Sequence, residues 1–338
     1  MNLHLWLSVG LILICSTSGL AQEPFFKGKT VRIVVGFSPG GGFDVYSRAI
    51  SRHLGRHIPG NPNVIVENMT GAGSLIAANN VYKVAKPDGL TIGNINGGLF
   101  MQQLLGAPGI EFDAVKFEHV GVPVKDKSVC VMTKSSGFTS LDKWAASKTP
   151  LKLGATGPGS ATYNVPLILK EALGLPIQLV SGYKGIADVR LAAETGELAG
   201  VCGWTWDSLK ATWNKALDSG EAVVVLQTVS QAISELPKIP LAINFAKSEE
   251  SRHLIQAGIH DVSDVTYSYL LPPGTPKDRV EGLRKAFGAT MKDGEFLADT
   301  KKSRLGIDPL SGEELEKTIG RLFKLSPSVL SKLKQVLK

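Results

Sequence analysis

Thr30-Val31-Arg32-Ile33-Val34-Val35-Gly36-Phe37-Ser38-Pro39-Gly40-Gly41-Gly42-Phe43-Asp44 is the stretch that decides the fold. Its first six residues are rich in β-branched side chains and predict a buried strand. After it, Val45, Ala49, Ile50 and Leu54 recur at helical spacing and predict a helix over 44–57. The glycines between them carry no Cβ to obstruct a tight turn or a ligand. A helix N-terminus leaves unpaired N–H donors and carries partial positive charge. Strand, glycine turn and helix start therefore form an anion cradle that needs no arginine. Asp44 is expected to cap or begin the helix, where a carboxylate suits the dipole. Three consecutive glycines exceed what a turn requires, so binding is expected of this loop.

The same residues exclude nearby alternatives. A phosphate-binding P-loop needs a lysine after its glycines, and none follows here. The dinucleotide fingerprint G-x-G-x-x-G fails at Val45. Gly36-Phe37-Ser38-Pro39-Gly40 does match the nucleophile elbow G-x-S-x-G of a serine hydrolase. In that elbow the residue after the serine donates its N–H to the oxyanion hole. Here that residue is Pro39, which has no N–H. No catalytic residue is assigned.

Working outward, strand-like and helical runs alternate. Strands are predicted at 63–67 and 91–95 with a helix at 74–85 between them. A second series has strands at 151–155, 177–180, 198–203 and 222–226, with helices at 161–173, 186–195 and 207–217. Extended stretches at 119–133 and 265–271 link the two series, and the remainder, from 277, is helical. This predicts an α/β molecule of two lobes, each a doubly wound mixed sheet flanked by helices. The lobes are expected to comprise 25–124 with 268–338, and 125–267.

In open α/β sheets ligands bind at the carboxyl ends of strands, facing helix N-termini. Glycine-rich loops fall at four such ends. The first runs over Phe37, Ser38, Gly40, Gly41, Gly42, Phe43 and Asp44. The second is Gly71, Ala72, Gly73 and Ser74. Asn96-Gly97-Gly98 closes the third strand. In the second lobe, Thr156, Gly157, Ser160, Ala161 and Thr162 offer backbone donors and hydroxyls that can hold a carboxylate. No arginine lies in any of the four loops, so recognition by amides, hydroxyls and water is expected, rather than by a bidentate clamp.

The chain of 338 residues has 43% hydrophobic and 20% charged residues, as in globular proteins with a substantial core. Its formal net charge of +7 is spread along the chain. The densest group, Lys301, Lys302 and Arg304, reads as a solvated helix face, and no nucleic-acid partner is expected. Residues 1–21 carry an apolar run and end in Gly19-Leu20-Ala21, the pattern of a cleaved signal peptide, although no Lys or Arg precedes the run. Ile14 is too large for the position before a lipidated Cys15. After cleavage Cys130 and Cys202 remain, and either a disulfide or two buried thiols would suit their apolar runs. Neither has a second ligand at metal-binding spacing, so no metal site and no cofactor are expected.

The ordered motifs resemble those of the extracytoplasmic receptors of tripartite tricarboxylate transporters, the Bug family. The family's strand followed by P-F-x-P-G-G-x-x-D stands here as Val35 to Asp44, with Gly36 in place of the proline. V-x-V-E-N-x-x-G-A-G is Val64 to Gly73. A-x-P-D-G-x-T is Ala85 to Thr91, and Y-K-G is Tyr183-Lys184-Gly185. Pro272-Pro273-Gly274-Thr275-Pro276 matches A-P-x-G-T-P loosely. The resemblance implies a type II periplasmic-binding-protein fold (a Venus flytrap) that closes on its ligand, and no enzymatic activity. It implies a monomeric solute-binding protein in the periplasm that captures a small carboxylate (di- or tricarboxylate, acidic amino acid, or aromatic acid). The partners would be two membrane permease subunits, one small and one large. The same fold and site would also serve a co-receptor for a membrane sensor kinase. Ligand contacts are implied for the first two loops and for 156–162, with Tyr183 beside them. Where relatives carry F-D, this chain has Gly203-Trp204-Thr205-Trp206-Asp207, which places Trp204, Thr205 and Asp207 near the expected cleft. Trp206, Leu209 and Trp213 are spaced to form one buried helical face. Gly36 is expected only to loosen the first loop.

Overall fold

A computed structural model of the protein describes residues 23–337. The segment 1–21, with Cys15, lies outside the described residues. The first half runs β1 (Thr30–Val35), α1 (Gly42–Leu54), β2 (Asn63–Asn68), α2 (Leu75–Lys83), β3 (Thr91–Asn96), α3 (Gly98–Leu104) and β4 (Glu118–Val122). The second series is β5 (Ser128–Thr133), α4 (Leu141–Ala145), β6 (Leu151–Ala155), α5 (Ala161–Leu173), β7 (Ile177–Ser181), α6 (Ile186–Glu194), β8 (Gly200–Thr205), α7 (Trp206–Thr212), α8 (Asn214–Ser219) and β9 (Ala222–Gln227). Then come α9 (Glu249–Ile255), the single turn α10 (Asp261–Ser263), β10 (Tyr267–Leu271), α11 (Lys277–Thr290), α12 (Gly294–Lys302), β11 (Leu310–Ser311), α13 (Gly312–Leu322) and α14 (Pro327–Val336).

These strands form two sheets, in the orders β11-β4-β10-β3-β1-β2 and β7-β6-β8-β5-β9. Both are mixed. β1 pairs in parallel with β2 and β3, while β10 runs antiparallel to β3 and β4. β6 pairs in parallel with β7 and β8, while β5 runs antiparallel to β8 and β9. In each sheet an antiparallel strand, β10 or β5, begins at the end of a crossing between the lobes. The two crossings are themselves joined, the Asp126 N–H donating to the Ser263 carbonyl at 3.3 Å.

Side chains alternate faces along each strand, and this divides the second sheet cleanly. Val129 and Val131 of β5 face a cluster with Trp204, Leu209 and Trp213. Cys130 and Met132 face the other way, into the large core that runs on through the first lobe. Cys130 and Cys202 stand opposite each other in the β5–β8 ladder and are joined by a disulfide. Of the two alternatives their sequence left open, the bond is the one formed.

Two helical expectations change. The helix expected over 207–217 is broken at Trp213, whose backbone (φ −132°, ψ 26°) leaves the helical region. Its ring stacks on Trp204, with centroids 5.5 Å apart and planes 19° off parallel. Trp206, Leu209 and Trp213 are all buried as their spacing suggested, but not on one continuous helix. Helix α3 was not legible, because all five residues from Gly98 to Gln102 are buried and the segment has no polar face to set a period. The last helix, α14, leaves the first sheet and lies on α5 and α9. There Lys332 pairs with Glu171 at 2.9 Å and Glu250 at 3.1 Å, and Leu333 is fully buried.

The disulfide closes a long loop, its cysteines lying 72 positions apart. Replacing both with alanine is expected to cost roughly 4 kcal/mol on the loop-entropy account. Denaturant unfolding of the oxidised protein and of the double variant measures this directly.

Candidate functional site

A cavity of about 50 Å³ lies between the sheets. The first lobe lines it with Phe37, Gly41, Gly42, Phe43 and Asn96, and the second with Thr156, Ser160, Ala161, Thr162, Trp204 and Thr205. All of these were singled out from the sequence. Asp126, Ile186, Gly203, Ser208, Thr266 and Tyr267 also line it and were not.

Two helices of 13 residues begin at this cavity, one from each lobe: α1 at Gly42 and α5 at Ala161. The N–H groups of a first helical turn have no partner within their own helix. Gly42, Phe43, Ala161 and Thr162 therefore bring donors, and two positive dipole ends, to one small space. Hydroxyls surround the second helix start. Thr162 Oγ1 accepts from the Thr156 N–H at 3.2 Å and lies 3.1 Å from Ser160 Oγ and 3.2 Å from Thr156 Oγ1. Aromatic rings enclose the remainder, with Phe43 tilted against both Phe37 and Tyr267 at 4.5 Å between centroids. Tyr267 Oη, at the start of β10, donates to Thr205 Oγ1, at the end of β8, at 3.0 Å, linking the two sheets. Burial pushes the Tyr267 hydroxyl far above its ordinary range, so it remains a neutral donor.

Asp44 braces the first loop from beneath. It is the third residue of α1, after the N-cap Gly41, and its carboxylate turns back to accept from the Gly40 N–H at 2.9 Å. It also accepts from Arg48 Nε at 2.9 Å and Asn68 Nδ2 at 3.0 Å. Burial alone would raise its pKa, but Arg48, the Gly40 amide and Asn68 together outweigh this and lower it. Asn68 donates further to the Phe37 carbonyl at 2.9 Å. The Glu-Asn end of the second strand is thereby tied to the first loop.

Several sequence candidates stand away from the lining. Ser38 Oγ donates to Asp188 Oδ2 of α6 at 2.7 Å, and the Ser38 N–H to the Lys184 carbonyl at 3.2 Å. Gly40, Gly71, Ala72, Gly73, Ser74, Gly157, Tyr183 and Asp207 also lie outside it. Tyr183 donates to Glu197 at 2.7 Å, and Asp207 pairs with Lys210 at 3.1 Å. The loop 71–74 is a run of positive φ: 133° at Gly71, 48° at Ala72, 63° at Gly73 and 81° at Ser74. Such backbone is uncommon for residues with a Cβ. It brings Gly73 so close to the second lobe that a Cβ there would lie 2.8 Å from the Pro158 carbonyl and 3.0 Å from that of Gly157.

Gly36 does not merely loosen its loop. Its N–H donates to the Asn94 carbonyl at 3.2 Å, a bond that proline could not make. A Cβ on it would collide with the Oγ and Cβ of Ser74 and lie 3.0 Å from the Ser74 Cα. The first and second loops are packed backbone to side chain at this glycine.

Asp126 is the functional candidate that sequence reasoning passed over, because Lys125-Asp126-Lys127 reads as a short solvated charge run. It is 6% exposed. Burial pushes its carboxyl up to about 7, the Thr205 and Thr266 hydroxyls oppose the rise, and the Asp207 and Asp264 carboxylates add to it. Its available signal is position, on the first crossing, opposite Thr266-Tyr267 at the end of the second.

Two mixed sheets with a cavity at inward-facing helix N-termini define the class: a two-lobed periplasmic-binding-protein fold. No family model matches the chain. It is 23% identical over 318 residues to the UPF0065 protein in the gbd 5' region of Cupriavidus necator, covering 93% of this chain and 90% of that one. Its fold is that of the periplasmic binding protein BugD, with a TM-score of 0.75, 22% identity and coverage of 92% and 98%. It is also that of MatC (Rpa3494) from Rhodopseudomonas palustris with bound malate, with a TM-score of 0.71, 21% identity and coverage of 93% and 100%. The resemblance read from the motifs is thus met by similarities that extend over nearly the whole chain.

Two substitutions check this geometry. A flexible turn would gain stability from Gly36→Ala by reducing unfolded-state freedom. The contact with Ser74 predicts a loss instead, of about 1–3 kcal/mol, measurable by thermal or denaturant unfolding. Asp44, with its pKa lowered in the folded state, stabilises the fold at pH above its unfolded value, and this contribution is lost as pH falls through the folded value. The stability advantage of wild type over Asp44→Asn should thus be full at pH 7 and shrink below about pH 4. Denaturant titrations at the two pH values measure it.

Proposed function

We propose that this protein is a non-catalytic receptor that captures a small carboxylate between its lobes and delivers it to a membrane permease. One observation carries the reading: the N-termini of α1 and α5, from different lobes, open onto one small cavity that has no lysine, arginine or histidine in its lining. Paired dipole ends and hydroxyls supply the attraction that a guanidinium supplies elsewhere. MatC, of the same fold, is a malate-bound protein, and BugD is a periplasmic one, which supports both the ligand class and the location.

The non-enzymatic reading draws on Ser38. Its hydroxyl donates to Asp188 away from the cavity lining, and the residue after it is a proline, so the elbow lacks its first oxyanion donor. The lobes are taken as 25–124 with 268–338, and 125–267, with α14 reaching from the first onto the second. Movement about the crossings near Asp126 and Thr266 would open and shut the cavity. Residues 1–21 would direct export and be removed, leaving a monomer in the periplasm that meets one small and one large permease subunit.

Calorimetry with a panel of small carboxylates should give affinities on the order of micromolar, ~8 kcal/mol. Binding only of neutral sugars or of cations without a carboxylate would contradict the reading. Trp204 lines the cavity, so ligand should alter tryptophan fluorescence in wild type and much less in Trp204→Phe. An equal change in both would remove Trp204 from the site.

A further inference from the structure

Asp126 is the one acidic side chain in the cavity lining. Its Oδ2 accepts from Thr266 Oγ1 at 3.1 Å. Its Oδ1 is buried and has no hydrogen-bond partner among the described residues. The lysines on either side do not neutralise it, since Lys125 turns to Asp308 at 3.4 Å and Lys127 is exposed. Asp207 and Asp264, the other charged groups felt there, are acidic too. A further space of about 20 Å³ shares Asn96, Asp126, Ala161 and Thr266 with the cavity, so Asp126 stands where the two spaces join.

A buried acceptor left unpaired costs free energy that a donor on a ligand would recover. A second carboxylate on the ligand could not supply that donor. It would meet the ionised Asp126 as a like charge, with no basic residue in the lining to offset the repulsion, and it fits only the protonated form that gives way as pH rises above about 7. A cationic nitrogen does the opposite, because it pairs with Asp126 while the ligand's own carboxylate takes the amides of α1 and α5.

We infer that Asp126 is the specificity-determining residue of this cavity, and that its unpaired oxygen receives an ammonium group, selecting a small amino-carboxylate zwitterion over a di- or tricarboxylate. This rests on the carboxylate reading above and narrows it.

The test is calorimetry at about pH 8, where Asp126 is mostly ionised, on the whole mature protein with four-carbon probes of matched skeleton: butyrate, succinate, 2-aminobutyrate and 4-aminobutyrate. At least one of the two amino acids should bind ten-fold or more tighter than both butyrate and succinate. Asp126→Asn should erase that preference, weakening the amino acid about ten-fold and leaving succinate equal or tighter. Because a buried substitution can disturb folding, the wild-type ranking decides by itself. Succinate binding as well as or better than both amino acids overturns the inference while the carboxylate reading stands. An amino-acid preference that persists in a folded Asp126→Asn protein overturns the role of Asp126. Binding of none of the four by wild type counts against both readings.

Discussion

The structure depends on two lobes meeting almost backbone to backbone. A Cβ on Gly73 would lie 2.8 Å from the Pro158 carbonyl, one on Gly157 2.8 Å from the Gly73 nitrogen, and one on Gly41 2.7 Å from Ile186 Cγ2. Gly98 against Gly159, and Gly185 against Ser38, are closer still. No other residue permits such an approach. The cavity is what remains between these contacts, and its small volume follows from them. The loops that meet are the loops that begin helices, so bringing the lobes together also brings helix N-termini to the same space. Packing and the proposed anion recognition are thus two results of one geometry.

Electrostatics follows the same economy. The lining holds no basic side chain, and the nearest arginine of the first loop's network, Arg48, is engaged beneath it with Asp44 and Asn68. That triad fixes the loop rather than touching the cavity. What faces inward is N–H, hydroxyl and aromatic edge, with Asp126 the exception. Oriented donors in a space poor in water act more strongly than they would in bulk solvent. On the proposed reading, preorganising them through Asp44 reduces the ordering cost at the moment of binding.

Much of this was legible in the sequence. Alternating β-branched runs and 3.6-residue periods located nearly every strand and long helix. β1, β6 and α5 have the predicted ends, because glycine or proline punctuates them. The first loop, Thr156–Thr162 and Trp204 were legible as a site because their residue types state their chemistry. What stayed hidden depends on tertiary contact. Gly36 reads as slack until Ser74 is seen against it. Gly71–Ser74 reads as another anion cradle, yet its positive-φ run stands at the meeting of the lobes. Asp126 looks solvated between two lysines, and Tyr267 looks like one more apolar residue of a strand, until the crossings bring them to the cavity. Local sequence cannot reveal which of two charged neighbours a crossing turns inward.

The central claim is that helix N-termini from both lobes hold one carboxylate in this cavity. A crystal structure of the protein with a bound small carboxylate tests it most directly. The account predicts carboxylate oxygens within about 3 Å of N–H groups of both Gly42–Phe43 and Ala161–Thr162. A carboxylate held by one lobe alone, or by lysine or arginine side chains outside the cavity, would contradict it.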